Sequence, residues 1–260
     1  MAEKELEIDS ARIVYFVEGS GPPLILLPSG GGRGKEYQEL VPLLAPSFTV
    51  YTLDYPGFGR SDELKWTDGV ISLAEFVFRW ADAAGIRDFY LTGFSMGGIV
   101  ALHMAISGPE RIKRLCVIAT ASGKIDHIPI ISPVGLNMKE ILAFFYHRPE
   151  VKEKIRNEKL STSEKKEIHR SSETFAKMAR ASKIFTDVNE QLSLIRCPTL
   201  VIGAENDQVI PLAYPKEIVR RIRGAEWIAY PETGHFVIVE RPRELAADLI
   251  RFFKSATLAA

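Results

Sequence analysis

The stretch Gly93-Phe94-Ser95-Met96-Gly97 decides the fold of this chain. It lies between an apolar run that predicts a strand, residues 88–92, and an apolar run that predicts a helix, residues 98–105. A serine on a sharp strand-to-helix turn is lifted out of the sheet, beside the free backbone N–H groups of the new helix. Glycines two positions before and after the serine let the turn close without collisions. The stretch therefore predicts a nucleophilic serine, Ser95, beside a site for negative charge.

Strands and helices alternate along the rest of the chain. An N-terminal antiparallel pair is predicted at 5–9 and 11–17, and mostly continuous apolar runs predict buried parallel strands at 24–27, 49–53, 89–92, 115–119, 199–203 and 226–230. Helical patterns fall at 37–44, 71–84, 98–106, 214–222 and 243–253. This alternation indicates an α/β fold with an eight-stranded, mostly parallel, doubly wound sheet.

Residues 123–194 interrupt this alternation, because they contain helical patterns and no convincing strand. An apolar and aromatic pattern covers 137–148, and the capping box Ser161-Thr162-Ser163-Glu164 predicts a long polar helix that ends near 182. We expect a core domain of residues 1–122 and 195–260 with an inserted helical lid at 123–194. The excess of basic residues in the lid is compatible with a solvated face, with steering of an anionic substrate and with a partner contact.

Composition narrows the class of protein. The chain has 260 residues and a formal net charge of zero, which argues against nucleic acid or a membrane surface as the main partner. The first residues lack the apolar region of a signal peptide, and no apolar run reaches the roughly 18 residues of a membrane span. The distant Cys116 and Cys197 predict buried free thiols, hence a reducing, cytoplasmic location. We expect a monomer or homodimer that binds a small molecule.

Two loops supply partners for Ser95. Asp207 follows the predicted strand 199–203, and His235 follows the predicted strand 226–230. The carboxyl ends of parallel strands share one edge of the sheet, where ligands bind in open α/β folds. A serine hydroxyl needs a base within hydrogen-bond reach, and the base needs an acid that orients it. The sequence predicts Ser95 as nucleophile, His235 as base and Asp207 as acid, with Glu205 and Asp126 as weaker alternatives for the acid.

Together these motifs resemble the α/β-hydrolase family over essentially the whole chain. The Ser95 stretch is similar to the family's nucleophile elbow, and residues 54–62 are similar to its glycine-rich turn after the fourth strand. His235 followed by Glu240-Arg241-Pro242 matches the segment that carries the base, and the inserted helices match the lid. The resemblance implies an α/β-hydrolase fold and a Ser-His-Asp triad that uses no metal and no organic cofactor.

The chain departs from the family at the end of the third strand. Many members have His-Gly there, whereas this chain has Pro28-Ser29-Gly30-Gly31-Gly32. The resemblance implies an oxyanion hole made by the backbone N–H groups of Met96 and Gly30, with Gly31 as the alternative to Gly30. Candidate substrate contacts lie nearby: Ser29, Gly31, Phe94, Phe144, Phe145 and Phe236. Ser29 is also compatible with bonding its own backbone, and the two lid phenylalanines with packing the lid on the core.

The resemblance implies hydrolysis of a small or medium carboxylic ester through an acyl-enzyme intermediate. Two other reactions use the same triad: cleavage of a carbon–carbon bond, as in hydrolases of meta-cleavage products, and perhydrolysis. Phe94 argues against the first of these, because those hydrolases often have Asn at that position. Some members of the fold are ligand-binding receptors, which is the non-enzyme alternative.

Overall fold

An eight-stranded sheet runs through the protein in a computed structural model, which describes residues 1–255. In chain order the strands are β1 (Ala2–Ile8), β2 (Ala11–Glu18), β3 (Pro23–Leu27), β4 (Thr49–Leu53), β5 (Phe89–Phe94), β6 (Ile112–Ile118), β7 (Thr199–Ala204) and β8 (Glu226–Tyr230). Their spatial order is β1-β2-β4-β3-β5-β6-β7-β8. β2 runs antiparallel to β1 and β4, and the remaining neighbours are parallel. The predicted mostly parallel sheet of eight strands is confirmed.

Helices connect the strands and cover both faces of the sheet. They are α1 (Val41–Leu44), α2 (Val70–Ala83), α3 (Met96–Ser107), α4 (Met138–Phe145), α5 (Pro149–Asn157), α6 (Thr162–Arg180), α7 (Ala213–Arg221), α8 (Val237–Glu240) and α9 (Pro242–Lys254). One apolar layer contains Trp80 of α2 and Ile99 of α3, and the other contains Leu44 of α1 and Phe253 of α9. The sheet is therefore doubly wound. In residues 1–255 no helix has both the length and the hydropathy needed to cross a bilayer.

Several element boundaries differ from the sequence prediction, and two of these differences have a clear physical reason. Asp9, predicted as the end of a strand, belongs to a turn with Ser10, and both residues have positive φ (48° and 63°). Such a two-residue turn matches the twist of a β-hairpin, so β1 ends before it. The single helix predicted at 37–44 is also wrong: a 3₁₀ helix spans Gly34–Tyr37 and α1 begins at Val41. Pro42 lies in the first turn of α1, where its missing N–H is tolerated, and it favours a helix start there.

Helices α4, α5 and α6 lie between β6 and β7, inside the predicted lid, whose boundaries stay a prediction. The prediction missed α5, although Pro149 in its first turn and basic residues in its last turn are signals of a short helix. The basic residues of this segment make several ion pairs with acidic residues of the core. The pairs are Lys154–Glu39, Lys177–Glu63 and Lys183–Asp68. Because these pairs are exposed, each stabilises the fold little, and they mark where the segment rests on the core.

Candidate active site

Ser95 stands between β5 and α3 in a strained backbone conformation, with φ 54° and ψ −119°. The two flanking glycines make this turn possible. A Cβ built on Gly93 would lie 2.2 Å from the carbonyl oxygen of Gly97, and one built on Gly97 would lie 2.3 Å from that of Leu27. Neither position has room for a side chain, which is the physical reason for the sequence pattern around Ser95. Strain of this kind persists where the surroundings enforce it, commonly at functional sites.

The three predicted residues of the triad meet at the carboxyl edge of the sheet. Ser95 Oγ lies 3.0 Å from His235 Nε2, and His235 Nδ1 lies 2.8 Å from Asp207 Oδ2. His235 and Asp207 are buried, whereas Ser95 is partly exposed. With its proton on Nδ1, the imidazole donates to Asp207 and leaves Nε2 free to accept the Ser95 proton. The arrangement can therefore activate the serine hydroxyl as a nucleophile.

The second oxygen of Asp207 is bound by its own loop. Asp207 Oδ1 accepts the backbone N–H groups of Val209 and Ile210, both at 2.8 Å. The buried carboxylate thus has a partner on each oxygen, as buried charges require. These bonds fix the rotation of the carboxylate and aim Oδ2 at His235.

Two backbone N–H groups at the predicted oxyanion positions are available to bind negative charge. Met96 begins α3, so its N–H has no acceptor within the helix. Among residues 1–255, the Gly30 N–H donates to no protein acceptor. The Gly31 N–H, by contrast, donates to Ser29 Oγ at 3.1 Å. This difference favours Gly30 over Gly31 as the second oxyanion donor. The bond to Gly31 also means that the Ser29 hydroxyl binds its own loop.

A carboxylate that the sequence analysis did not single out holds the same loop. Glu36 Oε2 accepts the Ser29 N–H at 3.2 Å, and Oε1 accepts the Arg33 N–H at 3.4 Å. Burial raises the pKa of Glu36 above its ordinary value, although these bonds act in the opposite direction. Nothing in the polar stretch around residue 36 signalled this contact, because it depends on how the glycine-rich loop folds back.

Aromatic rings surround His235. The ring centroids of Phe94, Phe145 and Phe236 lie 5.2, 5.5 and 5.9 Å from its centroid, respectively. Phe144 packs against the apolar cluster that contains Leu142 and Val209. The structure therefore brings three of the four predicted aromatic residues to the imidazole, and the substrate-binding roles stay predictions.

Phe175 of α6 is a further neighbour of the site that the sequence analysis missed. A Cβ built on Gly30 would lie 2.5 Å from its Cε2 atom, so the ring covers the loop that carries the free N–H. Its helix is fixed nearby, because the Gly59 N–H donates to Ser171 Oγ and Thr174 Oγ1 donates to the Gly57 carbonyl. The helical spacing of the apolar residues Phe175 and Met178 could have indicated a buried face, although the rest of this helix is largely polar.

Comparisons with known proteins agree with this architecture. The chain is 28% identical to the pyrrolizixenacetamide deacetylase of Xenorhabdus hominickii, over 96% of this chain and 98% of the relative. It is 26% identical to the 2-hydroxy-6-oxo-6-phenylhexa-2,4-dienoate hydrolase of Comamonas testosteroni, over 95% of this chain and 94% of that relative. The solved enol-lactonase from Burkholderia xenovorans LB400 shares the fold, with a TM-score of 0.83, 20% identity and coverage of 97% and 100%. The model of the alpha/beta hydrolase family matches residues 24–248, and the chain is an enzyme that belongs to this family.

Proposed function

We propose that this enzyme is a serine hydrolase that cleaves a small or medium carboxylic ester through a Ser95–His235–Asp207 triad. The observation that carries the proposal is the continuous chain of contacts from Asp207 through His235 to Ser95, at 2.8 and 3.0 Å. The available N–H groups of Met96, at the start of α3, and of Gly30, in the loop after β3, support the proposal. Nucleophile, base, orienting acid and anion site are the parts that acyl transfer requires.

In the first half of the reaction, the Ser95 hydroxyl attacks the ester carbonyl carbon and its proton passes to His235 Nε2. The carbonyl oxygen becomes an oxyanion and accepts hydrogen bonds from Met96 and Gly30. A donor of this kind contributes about 3–4 kcal/mol to transition-state stabilisation. His235 then gives the proton to the leaving alcohol as the carbon–oxygen bond breaks, and the acyl group stays on Ser95.

Water completes the cycle. It attacks the acyl carbon while His235 accepts one of its protons, and the second oxyanion uses the same two N–H groups. The bond to Ser95 Oγ breaks, His235 returns the proton to it, and the carboxylic acid leaves. Asp207 keeps the imidazole oriented and stabilises its charged form throughout.

The walls of the site favour a substrate with an apolar part. Phe94, Phe145 and Phe175 are buried, and their rings offer contacts to an apolar part of a substrate. We take the inserted segment 123–194 as a lid over this site. The deacetylase among the relatives is named for removing an acyl group, which is the same class of reaction.

Cleavage of a carbon–carbon bond is the second candidate function. Relatives at 25–26% identity are named as hydrolases of dienoates and related dioates, and they match most of this chain. The same triad would serve that reaction. The buried apolar ring of Phe94 argues for the ester, because a dienoate carries a carboxylate that needs a cationic or polar partner.

The test is a panel of p-nitrophenyl esters of rising acyl length, run beside a dienoic carbon–carbon substrate and a peroxide assay. We expect ester turnover that Ser95→Ala and His235→Ala each lower by about 10³-fold or more. His169→Ala, an exposed histidine on α6, is the matched control and keeps wild-type turnover. Preference for the dienoate would favour the second candidate, perhydrolysis alone would assign a perhydrolase, and ligand binding without turnover would indicate a receptor. Full activity of His235→Ala would remove the proposed mechanism.

A further inference from the structure

Glu240 joins two separate parts of the chain beside the triad. It is the last residue of α8 and is 2% exposed. Its Oε1 accepts the His147 N–H at 2.6 Å, and its Oε2 accepts the Gly234 N–H at 2.9 Å. His147 lies in the α4–α5 linker (residues 146–148) of the inserted segment, and Gly234 directly precedes His235. One carboxylate thus bonds the inserted segment and the loop that carries the base.

Two further hydrogen bonds and one close backbone approach complete this junction. The Phe236 N–H donates to the Phe145 carbonyl at 3.1 Å, and Arg148 Nη1 donates to the Glu240 carbonyl at 2.9 Å. A Cβ built on Gly234 would lie 2.7 Å from the backbone nitrogen of His147. The α4–α5 linker therefore lies directly on the His235 loop, at a distance that only glycine at position 234 permits.

We propose that Glu240 is a positioning residue for His235: its carboxylate fixes Gly234 and couples the His235 loop to the α4–α5 linker, so that the two move as one unit. This inference rests on the proposed function, because it assigns His235 the role of the base. The distance from His235 Nε2 to Ser95 Oγ is 3.0 Å, and a hydrogen bond between them weakens if this distance grows by a few tenths of an ångström. A displacement of about 1 Å at a reacting group can lower a rate on the order of 10²-fold.

The chemistry of the junction requires a carboxylate of this length. Both partners are N–H donors, so both atoms at the end of the side chain must accept. Glutamine offers one accepting oxygen and turns an NH₂ group toward the other N–H, which leaves a buried donor without a partner. Aspartate keeps both accepting oxygens on a side chain that is one methylene shorter. These two variants separate the hydrogen-bonding pattern from the reach.

The experiment measures two quantities on the full chain: the rate constant for labelling of Ser95 by a fluorophosphonate, and backbone hydrogen exchange of peptides that contain residues 146–148 and 233–236. For Glu240→Gln we expect labelling about 10- to 100-fold slower and faster exchange in both peptides together. Glu240→Asp restores part of the rate. Glu244→Gln is the matched control, since this exposed carboxylate pairs with Arg241, and it labels within about twofold of wild type.

Labelling of Glu240→Gln at the wild-type rate would overturn the proposal, and so would exchange that rises in one peptide alone. Should Glu240→Gln not fold, Glu240→Asp carries the test: labelling about threefold or more slower than wild type supports the positioning role, and an unchanged rate contradicts it. A wild-type protein that is not labelled at Ser95 would contradict the proposed function. The exchange of the two peptides then tests the coupling of the junction by itself.

Discussion

At the scale of the residue, the site depends on positions where a larger side chain would collide with backbone, or where hydrogen bonds hold the side chain in one orientation. The spacing of glycines around Ser95 was predictable, because the turn itself excludes larger residues and leaves that pattern in the sequence. Glu36 and Phe175 were not predicted as parts of the site, and Glu240 was named only as a member of the segment that carries the base. The contacts of Phe175 and Glu240 depend on residues far away in the sequence: Glu240 bonds His147, which is 93 positions away.

The glycine at position 97 gives a direct test of the turn. Gly97→Ala would place a Cβ 2.3 Å from the Leu27 carbonyl oxygen, with backbone on both sides of the contact. We expect the free energy of unfolding to fall by about 3 kcal/mol or more, measured by chemical denaturation. The control is Gly85→Ala, which meets nothing within 4 Å and carries only the strain of φ 73°, about 1–2 kcal/mol. Equal losses for the two variants would contradict this account of the turn.

At the scale of the element, apolar runs and helical periodicity were enough to predict the strands and helices of the core. They were not enough to predict all helices of the inserted segment, because these helices are largely polar and are held by contacts with distant parts of the core. One such contact joins α3 to the chain that follows α6: His103 Nε2 hydrogen-bonds Thr186 Oγ1. The sequence analysis did not single out this pair, since nothing near His103 indicates its partner.

The pH dependence of stability tests the burial of His103. Burial lowers the pKa of His103 below its ordinary value, so the folded state resists its protonation. Below pH about 6.5 the unfolded chain binds a proton that the folded protein does not, and stability falls as the pH drops, with a limiting slope of about 1.4 kcal/mol per pH unit.

We therefore expect His103→Gln to lose less free energy of unfolding than wild type between pH 7.5 and 5, as measured by urea denaturation at each pH. His169→Gln on α6 controls for the loss of a histidine. Parallel curves for wild type and His103→Gln would show that His103 is not the group responsible.

At the scale of the whole molecule, the alternation of strands and helices was enough to predict the sheet, its mostly parallel arrangement and the edge at which Ser95, Asp207 and His235 meet. Parallel strands place their carboxyl ends together, so loop order alone brought these residues to one edge. The exact distances and the packing of Phe175 of α6 against Gly30 lie beyond such reasoning. They depend on side-chain packing between segments far apart in the chain.

The fold also determines the reactivity of both cysteines. Cys116 is fully buried and its pKa is raised by that burial, and burial raises the pKa of Cys197 to about 11. Because the thiolate is the reactive form, we expect neither thiol to react with Ellman's reagent in the native protein within minutes. Both should react in denaturant without reductant. Fewer than two reactive thiols in denaturant would indicate a disulfide or other oxidation, contrary to the free thiols of the structure.

The central claim is that Ser95 is the nucleophile and that His235 activates it. The most direct measurement is treatment of the wild-type protein and His235→Ala with a fluorophosphonate, followed by mass spectrometry of the peptides. The account predicts one adduct on Ser95 of the wild-type protein, and labelling of His235→Ala slower by about 10³-fold or more. An adduct on another residue, no adduct at all, or equal labelling of the two proteins would contradict it.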